Sequence, residues 1–329
     1  MKIYLKVVLL FMFGIAICCG EESSSIKAKW KMPPSCTPFD PPRISDLKEE
    51  LRKTGYRLVI AIHPGSGEKG GNFIPRDLYI VNADGTGLKQ ITDTPDKDES
   101  RLRTSPNGKL LAYNQGRYFM DVKTLKTKQI DGGGSSNCWT PDSKQIVSWE
   151  KGKGMVYIDI ETGKKSQPIP AEQEVGVYDT TPDGKWFIFE IRDFRGSPFS
   201  IDFMSSKGGE IRKMPTYRGG ECHPCFSPDG KWTCWNGGGG LAIRKFDPDL
   251  PDGTDGKIYD FPCGSDPCGR WSHCGRYIAY VYHTGRWKYH DSIYIMRLAD
   301  KKTIMISPPG WVGFNHDYDW LPPEDLENK

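Results

Sequence analysis

Ser227-Pro228-Asp229-Gly230-Lys231-Trp232-Thr233-Cys234-Trp235 is a tight turn followed by a strand, and the same arrangement recurs along the chain. Proline presets φ at the first corner, and Asp-Gly tolerates the positive φ that a hairpin needs. The run after Lys231 is rich in aromatic and β-branched residues, as a strand requires. Related turns are Ser105-Pro106-Asn107-Gly108, Thr140-Pro141-Asp142-Ser143 and Thr181-Pro182-Asp183-Gly184, with a degenerate copy at Ser272-His273-Cys274-Gly275. Their first residues lie 35, 41, 46 and 45 positions apart in chain order. That period matches a four-stranded unit repeated around an axis.

Each turn precedes a β-run: Lys109 to Tyr113, Lys144 to Ser148, Lys185 to Phe189, Lys231 to Trp235 and Arg276 to Tyr280. A further strand follows in several units, at Leu78 to Val81, Met155 to Ile158 and Ser292 to Ile295. Trp139, Phe226 and Trp271 stand just before their turns, where a large ring is expected to wedge between adjacent units. The segment from His316 to Pro322 reads as a sixth pre-turn strand with Trp320 at the aromatic position, and no β-run follows it. Tyr56 to Ile62 is a β-run without a pre-turn strand. Joining the two gives an all-β, six-bladed β-propeller closed by pairing N- and C-terminal strands, with seven blades as the alternative.

These motifs resemble the TolB-type propeller repeat, a WD40-like blade marked by Ser-Pro-Asp-Gly-Lys. The segment from Leu78 through Asn82-Ala83-Asp84-Gly85-Thr86-Gly87 to Thr92 is similar to that family. The resemblance covers roughly residues 56–322 and implies the fold. TolB carries a further α/β domain before its propeller, so its particular role is not implied. The expected organisation is a signal peptide over 1–19, a Pro-rich tether with a short helix over 20–55, the propeller over 56–322 and a tail over 323–329. Ser45 is the expected cap of that helix, which runs to Lys53 with Leu47 and Leu51 on one face and Gly55 ending it.

Lys2 and Lys6 precede an apolar run from Val7 to Ile17, too short to span a bilayer and suited to a signal-peptide core. The following Cys18 and Cys19 resemble a lipoprotein acylation point, with Cys19 (or Cys18) the lipidated residue. The expectation is an exported protein of the periplasm or cell surface, held at the membrane by an N-terminal lipid. In an oxidising compartment the other eight cysteines favour some disulfides, Cys263 with Cys268 being one pairing. Charge is nearly balanced, with 45 basic against 42 acidic residues, which gives no electrostatic footprint for nucleic acid.

Aligning the six turns defines the expected lining of the central funnel. Two residues before the turn Ser/Thr stand Arg103, Cys138, Asp179, Cys225, Arg270 and Asp319; four before it stand Arg101, Ser136, Val177, His223, Cys268 and Asp317. Strand alternation predicts two stacked rings. Arg101, Arg103, Asp179, His223, Arg270, Asp317 and Asp319 are therefore the candidate ligand-binding residues, with pairing of Arg and Asp across blades as the structural alternative. His223, Cys225, Cys234 and Cys268 form a candidate zinc site, no cofactor being the first expectation and zinc the alternative. The loop from His283 to His290 offers exposed aromatic and basic anchors.

No Gly-x-Ser-x-Gly nucleophile elbow is present, and the glycine runs at 132–134 and 237–240 lack a Walker lysine. The expected function is a binding or scaffolding propeller at a cell envelope, taking a protein partner or glycan in its funnel. The alternative is a carbohydrate-active enzyme, a lyase or hydrolase of an anionic glycan.

Overall fold

A computed structural model describes residues 42, 44–62, 75–130, 137–150, 153–166, 169, 175–191, 199–215, 221–237, 240–254, 258–262, 268–282, 292–307 and 317–324. The signal segment, Cys18 and Cys19, the Pro-rich tether, Ser136, Cys263, the His283 to His290 loop and His316 lie outside them. The chain forms six antiparallel sheets, one per repeat, arranged as a six-bladed propeller.

Blade 1 is built from both ends. Tyr318–Leu321 pairs antiparallel with Arg57–Ile62, which pairs in turn with Asp77–Asn82 and then Lys89–Gln90. The register sets Leu58 opposite Trp320 and Val59 opposite Asp319. Blades 2 to 6 begin at the inner strands Arg103–Thr104, Asn137–Trp139, Val175–Thr180, Cys222–Phe226 and Arg270–Trp271, and each runs outward in sequence order. In blade 3 the described residues form three strands, extended outward by bridges from Met155 to Ile169 and from Ile158 to Lys165.

Six apolar clusters sit in the six seams between blades. Leu58 and Ile60 face blade 6 with Tyr277, Ala279 and Ile293, whereas Val59 and Ala61 face blade 2 with Leu102, Leu111 and Met120. This explains why Arg57–Ile62 is buried at every position: both faces of the strand meet another sheet. Trp139 packs edge-on against Phe119 of the preceding blade, with ring centroids 5.6 Å apart. Phe226 joins Ile188 and Phe203 of blade 4, and Trp271 joins Cys234 and Ile243 of blade 5. The pre-turn rings thus fill the seams, as their position predicts.

The turns are closed by their own side chains. Ser227 Oγ donates to Asp229 Oδ1 (2.5 Å) and accepts from Trp232 N (3.0 Å), while Lys231 N donates to Asp229 Oδ1 (3.0 Å). The same triad of bonds recurs around Thr140 and Asp142, and around Thr181 and Asp183. Gly230 has φ +70°, and a Cβ there would stand 2.9 Å from Pro182 Cδ in the preceding blade's turn. Turn glycine therefore serves twice, as the left-handed residue and as the surface on which the neighbouring proline lies.

The short helix Leu47–Thr54 is capped by Asp46, one residue later than the sequence suggests; its carboxylate accepts from Glu49 N at 2.8 Å. Gly55 ends it at φ +68°. Ser45 instead gives its carbonyl to Arg297 Nη2 and Lys302 Nζ. The helix belongs to the propeller body, since Leu47 and Leu51 enter the seam between blades 6 and 1. Glu50, buried, binds Arg297 Nη1 and accepts from Tyr277 Oη at 2.6 Å. Among the described residues no helix is long and apolar enough to cross a membrane.

Two outcomes follow from this packing. Gly230→Ala combines a left-handed φ with a collision against Pro182, and should cost more than about 1 kcal/mol in urea unfolding. Glu50→Ala leaves the Arg297 guanidinium with Asp300 as its carboxylate partner but removes the buried acceptor of Tyr277 Oη, and should cost about 1–3 kcal/mol by the same measurement.

Candidate functional site

A cavity of about 440 Å³ lies at the end of the ring that carries the Ser/Thr-Pro turns. All six residues two before the turn position line it: Arg103, Cys138, Asp179, Cys225, Arg270 and Asp319, one from each blade. In ring order Asp319 stands between Arg103 and Arg270, and Asp179 stands across the ring between Cys138 and Cys225. Tyr178, Trp139, Trp271, His273 and Trp320 add aromatic surface.

The two acids are held by backbone. Asp319 Oδ2 accepts from Thr104 N of the next blade at 2.7 Å, and Oδ1 from Trp320 N at 2.9 Å. Asp179 repeats this with Phe226 N of its next blade at 2.9 Å and Thr180 N at 2.8 Å. Pre-turn tryptophans reach the other way: Trp139 Nε1 donates to Arg103 O and Trp320 Nε1 to Arg270 O, both at 2.9 Å. These bonds staple neighbouring inner strands across four of the six seams, between blades 6 and 1, 1 and 2, 2 and 3, and 4 and 5.

Burial pushes the Asp179 carboxyl up to about 6, against the two N–H donors and the charges of Arg270 and Arg103. Arg103 donates through Nη1 to Leu102 O at 3.0 Å, and among the described residues no carboxylate lies within ion-pairing distance of it. Burial and the like charge of Arg270 lower its pKa, but a guanidinium stays protonated at neutral pH. Burial opposes the charge of Arg270 as well, yet the Cys268 and Cys225 thiols and Asp319 raise its pKa overall. Burial lowers His273 to about 4, which makes it a neutral imidazole at the cavity wall.

The residues four before the turn do not form a second stacked ring. Arg101, His223 and Cys268 have left-handed backbone, with φ of +55°, +59° and +43°, and the Val177 strand shifts register between Val177 and Asp179. These bulges break the alternation on which the ring expectation rests. None of the four lines the cavity, and neither does Asp317. Arg101 is exposed, and its backbone N–H donates to Asp317 Oδ1 at 3.2 Å. Asp317, buried, pairs with Arg76, which also holds Asp98. Val177 enters the seam between blades 3 and 4.

The expected His223, Cys225, Cys234 and Cys268 set is also separated by a bulge. Cys225 lies opposite Cys234 and Cys222 opposite Asn236, so His223 is not across from Cys234. Cys225 and Cys234 sulfurs are 3.2 Å apart, and Cys225 Sγ also reaches Gly269 O at 3.3 Å. Both thiols are unbridged, as are Cys138, Cys222, Cys268 and Cys274. Cys268 is fully buried, and its carbonyl accepts from Tyr318 Oη at 2.5 Å. His223 lies instead beside Glu190 and Cys222, the three ligand atoms being within 4.8 Å of one another. Glu190 was legible only as a lone acid inside the otherwise apolar strand Trp186–Ile191.

No family model matches the chain. An uncharacterized peptidase of Bacillus subtilis, YuxL, is 28% identical over 152 residues, or 43% of this chain and 22% of that protein. The chain thus spans about a fifth of the length of the curated relative it matches. The crystal structure of TolB from Acinetobacter baumannii superposes with TM-score 0.60 at 19% identity, over 81% of this chain and 66% of that one. A nidogen/laminin complex gives a chain superposing with TM-score 0.59 at 12% identity, over 81% of this chain and 98% of that one. With six blades, Ser-Pro-Asp-Gly turns and a ring closed by both ends of the chain, this chain has the six-bladed β-propeller fold and is similar in structure to TolB.

Proposed function

We propose that this chain is a binding propeller of the cell envelope, holding a negatively charged group of a partner protein in its central cavity. The observation that carries the reading is the division of labour in the ring. Asp179 and Asp319 are engaged by backbone N–H groups, and Arg103 and Arg270 bring charged donors to the same cavity wall. A guanidinium in a partly desolvated concavity is suited to a carboxylate or a similar anion. The aromatic wall supplies apolar contact around it, the usual composition of a protein-binding hot spot.

Fold likeness supports a protein partner, since one of the similar propellers comes from a complex of nidogen with laminin. Export, with a lipid on Cys19 or Cys18, supplies the envelope location and remains the reading of the leading sequence. A glycan with acidic sugars offers the same anionic chemistry. Its cleavage by a lyase or hydrolase needs a base presented to the substrate. Asp179 has a suitable pKa, but both its oxygens accept backbone hydrogen bonds, and His273 has its pKa lowered by burial. Binding without turnover is therefore the better account.

Capture from a solubilised envelope extract tests the reading. The wild-type protein should retain a defined partner, and Arg103→Ala or Arg270→Ala should weaken its binding by about ten- to a hundredfold. Equal retention by both variants, or release of unsaturated product from a uronic-acid polymer, would overturn it.

The cavity should also respond to pH. Asp179 faces the Arg103 and Arg270 charges, the Cys138 and Cys225 thiols and the Phe226 and Thr180 amides. Its folded pKa of about 6 lies above the ordinary carboxylate value, so it takes up a proton as pH falls through 6 and the cavity gains one positive charge. Sulfate, whose own charge is constant over this range, should bind roughly tenfold tighter at pH 5 than at pH 7.5 by calorimetry. Asp179→Asn should flatten that profile.

A further inference from the structure

We propose that Glu190, Cys222 and His223 form a three-ligand Zn²⁺ site in the seam between blades 4 and 5, apart from the arginine-lined cavity. The three donor atoms lie within 4.8 Å of one another. Ligands at zinc bond lengths in tetrahedral array stand roughly 3.5 Å apart, so small side-chain adjustments close the site. The donor set is one thiol, one imidazole and one carboxylate, each an ordinary zinc ligand. A thiolate, a carboxylate and a neutral imidazole exactly cancel the charge of one divalent ion. Such a neutral assembly suits a position where Glu190 is 1% and Cys222 8% exposed.

The backbone is shaped to bring these groups together. Cys222 pairs with Asn236 and Cys225 with Cys234, so an extra residue bulges at 223–224. His223 takes φ +59° there, leaves the strand alternation, and donates its backbone N–H to Glu190 Oε2 at 3.4 Å. Without the bulge, alternation would put its ring on the Cys225 face. Outer contacts orient the ligands. Asn236 Nδ2 donates to Cys222 Sγ at 3.3 Å, a bond that favours the thiolate. The Tyr178 ring packs edge-on against His223, with centroids 5.6 Å apart. Three protein ligands leave a fourth position for water or a partner's group.

Because Tyr178 also lines the cavity, the metal would fix one wall of the binding site. This holds whether or not the cavity takes an anion, and the two claims fail separately. The rival assignment is the neighbouring thiol pair, Cys225 with Cys234.

The test is metal content and cobalt spectroscopy of the full chain, purified without a polyhistidine tag. The wild-type protein and a Cys225→Ser/Cys234→Ser variant should each bind one equivalent of Zn²⁺. Co²⁺ in the same site should show tetrahedral ligand-field bands and a thiolate-to-metal charge-transfer band. Cys222→Ser should abolish that charge-transfer band, and Glu190→Gln should weaken Zn²⁺ binding by roughly a hundredfold or more. His223→Asn, which keeps a residue tolerant of the left-handed backbone, should do the same while near-ultraviolet circular dichroism stays native. Substoichiometric Zn²⁺ in the wild type, binding that survives Cys222→Ser and His223→Asn, or binding lost only with Cys225 and Cys234 would overturn the assignment.

Discussion

The structure depends on hydrogen bonds that run between neighbouring inner strands at the axis. Blades of a propeller share no sheet hydrogen bonds, so each seam is held by apolar packing and by whatever polar groups cross it. Here Asp319 crosses forward to Thr104 N and Asp179 to Phe226 N, while Trp320 and Trp139 cross backward to the carbonyls of Arg270 and Arg103. Each bond uses a backbone group of an inner strand, the edge strand that has no further partner in its own sheet. The Ser-Pro-Asp-Gly turn beside it sets the register, because its serine and aspartate fix where the strand stops.

This arrangement explains how one ring of side chains serves both stability and binding. The acids look like ligands when the sequence is read alone, since they stand with arginines on one lining. Their oxygens are occupied by amides, which turns them into staples and keeps their charge beside the guanidinium groups. A cavity with two arginines and two tethered acids then avoids the self-repulsion of a purely basic one. It still offers cationic donors to an incoming anion.

The fold was legible because turn chemistry repeats with a blade-like period, and because Trp320 lies at the aromatic position of a strand that no β-run follows. Closure by Tyr318–Leu321 against Arg57–Ile62 is the pairing that pattern implies. The cavity lining was legible for the same reason: alignment on the turn places Arg103, Cys138, Asp179, Cys225, Arg270 and Asp319 at equivalent positions, close to the fixed point. Four residues from the turn the strands no longer keep that equivalence. Left-handed residues at Arg101, His223 and Cys268 are non-glycine, so nothing in their identity announces a bulge. The Glu190, Cys222 and His223 group was hidden for a second reason, because its members come from different blades and meet only across a seam.

Amide hydrogen exchange at Thr104 and Phe226 tests most directly whether the acids hold the ring. Both amides end inner strands, where exchange is ordinarily fast through fraying. If Asp319 and Asp179 bond them as described, they should exchange only through global unfolding, at the rate of the seam residues Val59 and Ile188. Exchange as fast as that of exposed turn amides would show that the inner strands are not stapled, and that both carboxylates belong to the binding site instead.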